Sequence, residues 1–182
     1  MVLKNFFVFE GCEGSGKSTQ AALVAEELMH IEHPWWRKVW LTKEPGGTSY
    51  GQRIRTLVLF EKPDEGIDPL TEFLLFEADR REHIKEIQKR HEAGDSIICD
   101  RFSFSTFAYQ GYGRGLFKTH RKFMEDVDTA VHGSIYPRLI FLFDQDIKIG
   151  LSRKHHQGEE NQFEKETLEF HQRVRDGYLE LA

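Results

Sequence analysis

Gly11-Cys12-Glu13-Gly14-Ser15-Gly16-Lys17-Ser18 has the spacing G-x-x-x-x-G-K-[ST] of a phosphate-cradling P-loop, and the residues around it fit the mechanism. The apolar run Phe6-Phe7-Val8-Phe9 precedes it and reads as a buried strand, about Asn5–Glu10. A helical stretch follows, about Lys17–His30. Glycines at these positions let backbone N–H groups turn inward as an anion nest. Lys17 reaches the outer phosphates, the Ser18 hydroxyl can ligate Mg²⁺, and the start of the helix adds its dipole. Gly11 through Thr19 are therefore the candidate triphosphate-binding residues. The plainer reading is a glycine-rich turn without a ligand.

Composition narrows the alternatives. A chain of 182 residues is long enough for one domain with a sizeable core. The net charge of −5 argues against non-specific nucleic-acid binding, which needs a basic face. No apolar stretch approaches a membrane span, and Met1-Val2-Leu3-Lys4 lacks the layout of a signal peptide. The two cysteines, Cys12 and Cys99, fall at strand ends and make no disulfide framework, which points to a reduced, cytoplasmic compartment. Nine histidines occur, but no Cys/His cluster has zinc-ligand spacing.

Strand and helix signals alternate beyond the P-loop, which predicts a parallel sheet with helices on both faces. Further strands are expected at Val39–Thr42, Ser96–Cys99 and Leu139–Phe143. Helices are expected at Ser49–Phe60, at Pro69–His91 with Asp68 as N-cap and Gly94 beyond its end, after Phe102, at Lys118–His132, from Lys148, and at Phe163–Leu181. Pro63 to Gly66 reads as a loop, and Lys154–Asn161 as a polar, mobile segment. Trp40 reads as core or sheet face. Trp35 and Trp36 follow Pro34 and read as packing or as a surface contact. No repeat or linker divides residues 1–182.

In such folds, ligands bind outside the carboxyl ends of the strands. The first strand delivers the P-loop with Glu13. The second delivers Lys43-Glu44-Pro45-Gly46-Gly47-Thr48, the third Asp100-Arg101, and the fourth Asp144 and Asp146. Arg101 can bridge two phosphates, and Asp100 can hold Mg²⁺ or its waters. The competing reading for these two is an internal ion pair. Phe76 and Arg80 share one helix face. On the residues alone they read as core packing with Leu74 and Leu75, and as a solvated charge. Pro45 is a candidate for a preceding cis peptide.

Taken in order, the motifs resemble those of the thymidylate kinase family. Phe9 to Thr19 looks like its P-loop, and Thr42 to Thr48 with Gly51, Ile54 and Arg55 like its second motif. Leu74-Leu75-Phe76-Glu77-Ala78-Asp79-Arg80 is similar to its substrate helix, Asp100 to Gly111 to its third motif, and Arg173 to Ala182 to its late helix. The resemblance implies an α/β, three-layer P-loop NTPase fold with a parallel sheet flanked by helices. It implies phosphoryl transfer from ATP to dTMP with Mg²⁺, and a homodimer. It also implies roles. Phe76 stacks on the base, Arg80 bonds its carbonyl edge, and Thr106 and Gln110 lie nearby. Pro45, Ser105 and Glu13 belong to the dTMP site, with Glu13 near the sugar 3′ side. Tyr109 crowds the sugar 2′ position. Arg55 grips the acceptor phosphate, and Arg101 joins Lys17 in the transfer.

The chain departs from the family in three places. Some members carry an arginine in the P-loop where Gly14 stands; others place arginines in a mobile lid, here about Arg153–Glu164. The usual Asp-Arg pair of the lid reads Asn161-Gln162, which predicts either slow turnover or a transfer of the catalytic lid cation to Arg153 or Lys154. Lys43 stands where arginine is usual. Members commonly continue past the position of Ala182 with a strand and helix that help hold adenine. Other readings stay open: a different pyrimidine monophosphate kinase, or a weakly active nucleotide-binding pseudokinase. The N-K-x-D and D-x-x-G signals of a GTPase switch do not follow the P-loop.

Overall fold

The alternating signals resolve into a parallel sheet with helices on either face. The computed structural model describes residues 1–31, 37–61, 66–155 and 161–182. Strands β1 (Val2–Gly11), β2 (Val39–Lys43), β3 (Ser96–Asp100) and β4 (Tyr136–Phe143) lie in the order β2-β3-β1-β4. Every pairing is parallel, with Val8 opposite both Cys99 and Ile140, and Leu41 opposite Ile98. Strands covered on both faces read as unbroken apolar runs, as β1 and β3 do. β1 and β4 each start three residues earlier than the sequence suggests. Val2 pairs with Tyr136 and Leu3 with Pro137, before a register shift that precedes Phe7.

The α-helices among the described residues are α1 (Lys17–Met29), α2 (Ser49–Leu59), α3 (Pro69–Glu92), α4 (Ser103–Thr106), α5 (Phe117–His132), α6 (Ile147–His155) and α7 (Leu168–Leu181). Side chains alternate across a strand, so β1 and β3 serve two cores. Phe9 and Ile98 meet Ala21 and Ala25 of α1 on one face. Phe6, Val8, Ile97 and Cys99 meet Ile84 and Ile87 of α3 on the other. Each large apolar side chain buried this way contributes on the order of 1.5–3 kcal/mol. As predicted, Asp68 caps α3, its carboxylate accepting from Leu70 N and Thr71 N at 3.0 Å each, and Gly94 follows the helix at φ 82°.

Two elements differ from the sequence reading. The segment after Phe102 is not one regular helix: α4 widens into a π-helical turn, Phe107–Gly113. Arg114 N donates to Tyr109 O and Leu116 N to Gln110 O. Such turns favour functional sites because they re-aim side chains. The last helix starts at Leu168, not Phe163. Thr167 Oγ1 accepts from Phe170 N at 3.2 Å, while Asn161 Oδ1 accepts from Phe163 N at 2.9 Å and Glu164 N at 3.2 Å. These oxygens satisfy amides locally, so a separate turn precedes α7.

Trp40 packs edge-on to His83 at 5.5 Å, under the Arg90 guanidinium at 5.1 Å. Trp35, Trp36, most of the expected loop at Pro63 to Gly66, and the centre of the expected lid lie outside the described residues. Among the described residues, no helix is long and apolar enough to cross a membrane.

Candidate active site

A cleft of about 390 Å³ opens above the carboxyl ends of β1, β2 and β3. It is within the size range of small-molecule sites. On the P-loop side it is lined by Glu13, Gly14, Gly16, Lys17, Ser18 and Thr19. Gly14 and Gly16 adopt φ 67° and 91°, backbone that glycine takes without strain. Lys17 is buried, with Nζ 3.3 Å from Cys12 O. Burial first, and then the nearby Arg101 charge, lower its pKa below the ordinary lysine value. Gly11, Cys12 and Ser15 lie behind the loop and do not line the cleft. A Cβ on Gly11 would meet Phe143 O at 2.5 Å, so Gly11 lets the loop lie against β4.

The end of β3 supplies Asp100 and Arg101. These two are not the internal pair that the sequence leaves open, because Arg101 Nη2 bonds Glu13 Oε1 at 2.7 Å. The same nitrogen reaches Tyr109 OH at 3.1 Å. Nη1 donates to Gly11 O, Ser105 Oγ and Tyr178 OH at 3.0, 3.1 and 3.0 Å. Arg101 has φ 74°, the one positive φ of a non-glycine among the described residues, and strain of this kind gathers at functional sites. Asp100 lines the cleft, with a buried Oδ1 that has no hydrogen-bond partner among the described residues.

The second motif turns beneath this clamp. The Glu44–Pro45 peptide is cis, as expected. Gly46 N donates to Asp79 Oδ1 at 3.0 Å. Thr48 caps α2 by accepting from Gly51 N at 3.0 Å. A Cβ on Gly47 would sit 2.4 Å from the His83 ring, so only glycine passes there. Arg55 of α2 donates to Pro45 O at 3.0 Å and faces the cleft. Burial and then Arg101 lower its pKa.

Phe76 and Arg80 both face the cleft from α3. Arg80 is not a solvated charge: it is 2% exposed. Its Nε bonds Glu44 Oε2 at 2.9 Å, Nη1 bonds Glu77, and Nη2 bonds Thr106 Oγ1 at 2.7 Å. A guanidinium has five N–H groups, so a second N–H remains on Nη2. Glu44 also receives His83 Nδ1 at 2.7 Å. Burial alone would raise its carboxyl, but Arg80 and His83 prevail and lower it. Tyr109 and Gln110 project from the π-helical turn, and Gln110 Nε2 donates to Glu72 Oε1 at 2.8 Å. Phe163 closes this end, edge-on to Tyr109 at 5.3 Å.

The structure thus gathers Pro45, Arg55, Phe76, Arg80, Ser105, Thr106, Tyr109, Gln110 and the P-loop face around one cleft. Asp144 and Asp146 serve elsewhere. Asp144 pairs with Arg175 at 2.6 and 2.8 Å, and Asp146 Oδ1 caps α6 through Lys148 N at 2.9 Å. Asp79 and Glu10 are two of the buried polar residues at the site with no role assigned from sequence. Both sit inside quoted motifs, but their partners come from distant segments, so no spacing announces them.

At the expected lid, Arg153 lines the cleft, and its Nη1 approaches Gly14 O at 3.4 Å. Gln162 does not line it. Its backbone N donates to Leu59 O at 3.1 Å and its side chain to Val58 O, which ties this turn to α2.

Residues 9–182 match the family model described as Thymidylate kinase. The chain is 42% identical over 184 residues to a thymidylate kinase of Geobacter sp. strain M21, spanning 97% of this chain and 78% of that protein. It is 40% identical to the Deinococcus radiodurans thymidylate kinase, over 97% and 82% of the two chains. The crystal structure of thymidylate kinase from Ehrlichia chaffeensis superposes with a TM-score of 0.76 at 37% identity, covering 98% of this chain and 82% of that one. With its motifs facing one cleft and this likeness along almost its whole length, the chain belongs to the thymidylate kinase family.

Proposed function

We propose that the chain transfers the γ-phosphoryl group of ATP to dTMP, giving dTDP and ADP, with the residues of this cleft in the following roles. The observation that carries the reading is the convergence of Lys17, Arg55, Arg101 and Arg153 from four elements onto one cleft. Like charges so placed disfavour one another: Arg101 helps to lower the pKa of both Lys17 and Arg55. Glu13 and Asp100 offset part of that repulsion, and a bound polyanion offsets the rest. The dTMP phosphate is already ionised at pH 7, so no strong general base is needed. The work is positioning and neutralising charge on the transferred group. Arg55 and Arg101 hold the acceptor phosphate, Lys17 and the P-loop amides hold the donor phosphates, and Arg153 meets the migrating group. That last role puts a cation where the lid lacks its Asp-Arg pair, the departure on which the pseudokinase reading rests.

Thymine presents an N–H between two carbonyl oxygens. Phe76 offers its face, the spare N–H of Arg80 an edge donor, and the Gln110 carbonyl an acceptor. Ser18 and Asp100 fit Mg²⁺, since both are oxygen donors on the same cleft and the Asp100 Oδ1 has no partner among the described residues. Mg²⁺ typically binds through one or two protein oxygens plus phosphate oxygens and water. Bound there, it would neutralise phosphate charge. A homodimer and a cytoplasmic location belong to the same reading. Exposed Tyr50, Leu74 and Phe123 on α2, α3 and α5 support the first, and the free thiols of Cys12 and Cys99 the second.

A coupled assay of ADP release with dTMP, dUMP and CMP tests the function. Turnover is expected to be fastest with dTMP. No dTMP-dependent ADP release from folded protein would overturn it.

A further inference from the structure

Glu10, one residue before the end of the inner strand β1, has a fully buried carboxylate. It does not line the cleft, yet it receives four hydrogen bonds. Oε1 accepts from Phe102 N at 2.8 Å and Ser105 N at 3.2 Å. Oε2 accepts from Ser105 Oγ at 2.6 Å and Tyr178 OH at 3.1 Å. The first pair fixes the backbone just after Arg101. The second pair matters more, because the same two hydroxyl oxygens contact Arg101 Nη1 at 3.1 and 3.0 Å.

A hydroxyl has one hydrogen and two lone pairs. Ser105 Oγ and Tyr178 OH also lie 2.7 Å apart; with the Ser105 hydrogen on Glu10 and the Tyr178 hydrogen shared between Glu10 and Ser105 Oγ, each hydroxyl keeps a lone pair for the guanidinium. Without such an acceptor, the two hydroxyls are left to hydrogen-bond each other, one hydrogen has no partner, and the lone pairs facing Arg101 are no longer fixed. Burying a carboxylate is costly, and desolvation raises the Glu10 pKa above the ordinary value. An apolar side chain would fill the space without that cost but could not orient the two hydroxyls. Arg101 also needs holding, since its backbone sits at φ 74°.

We propose that Glu10 is a positioning residue for phosphoryl transfer, orienting the Arg101 guanidinium through the hydroxyls of Ser105 and Tyr178. This rests on the reading of Arg101 as the phosphate clamp. Tyr178 comes from α7, so the last helix touches the Arg101 guanidinium through this hydroxyl.

Steady-state kinetics of Glu10→Gln, Arg101→Lys and the double variant test the proposal, with circular dichroism showing each folded at the assay temperature. The amide of glutamine adds donors where the network needs an acceptor. Glu10→Gln is expected to lower kcat at least tenfold, with KM for dTMP and for ATP within threefold of wild type, because an aligned Arg101 acts on charge that develops during transfer. The double variant should be no more than twofold slower than Arg101→Lys. A Glu10→Gln kcat within twofold of wild type, or multiplicative losses in the double variant, overturns the proposal. Wild-type turnover in Arg101→Lys instead overturns the clamp reading beneath it. If Glu10→Gln does not fold, Tyr178→Phe carries the test: the same kcat-specific loss supports the relay, and wild-type kcat overturns it.

Discussion

A Cβ on Gly14 would lie 1.9 Å from the carbonyl oxygen of Gly150, and a Cβ on Gly150 would lie 2.3 Å from the carbonyl oxygen of Glu13. The P-loop and α6 therefore touch backbone to backbone. This contact explains why no arginine stands at position 14 and why α6 can present Arg153 beside the loop. Backbone atoms cannot swing aside as a side-chain tip can, so Gly150→Ala must push the helix away. The expected outcome is a fall in kcat of about tenfold or more and a loss of roughly 1–3 kcal/mol in stability. Kinetics and thermal melting check both, and unchanged kcat would contradict the positioning argument.

Arg153 and Gln162 should separate cleanly. Arg153→Ala is expected to lower kcat on the order of 10²–10³-fold, the usual cost of losing a group that meets transition-state charge. Gln162→Ala removes a tie to Val58 O and should cost about 1 kcal/mol in stability, with kcat within about threefold of wild type. Equal losses of turnover in the two variants would remove the distinction.

Lys17→Met should nearly abolish turnover, by on the order of 10²–10³-fold or more, without lowering the melting temperature of the nucleotide-free protein. The lysine is buried at 4% exposure. Its charge is disfavoured first by that burial and then by Arg101, so an apolar chain of similar shape relieves a cost. A marked drop in melting temperature would count against this account.

The Asp79 carboxyl is pushed up from 3.8 to about 7, mainly by burial and then by the Glu44 carboxylate. The folded chain thus holds this proton more tightly than the unfolded chain does. Its contribution to stability is full below pH 3.8 and is lost as pH rises through about 7. At about 1.4 kcal/mol per tenfold change, the whole effect is on the order of 4 kcal/mol. Asn keeps an oxygen for Gly46 N and cannot ionise. Asp79→Asn should therefore melt several degrees above wild type at pH 8.5, with the gap shrinking by pH 5. A gap that does not depend on pH would contradict the assignment.

Local chemistry made much of the fold legible. The Asp68 cap, the positive φ of Gly14 and Gly16, and the apolar runs of β1 and β3 act within a few residues, so their order in the sequence carries the information. The start of α7 was misread because the apolar positions continue back to Phe163, while Asn161 and Thr167 satisfy the amides that would have extended the helix. The site was legible as a set of residue types at strand ends. Its distribution was not. Asp144 and Asp146 carry the same charge as Asp100, yet one pairs with Arg175 and the other caps α6. Strand order and helix packing decide which acid faces the cleft.

By itself the sequence determined a phosphate loop between a strand and a helix, a parallel α/β sheet, and a family whose motifs run in order along the chain. These depend on spacing, which the covalent chain fixes. Tertiary structure alone decided that Arg80 is buried between Glu44, Glu77 and Thr106. It also decided that Arg101 pairs with Glu13 and not with Asp100, and that Arg153 stands at the P-loop while Gln162 braces α2. Each of these depends on which distant groups share a small desolvated volume, where the nearest partner governs charge, and that is set only when the layers close on one another.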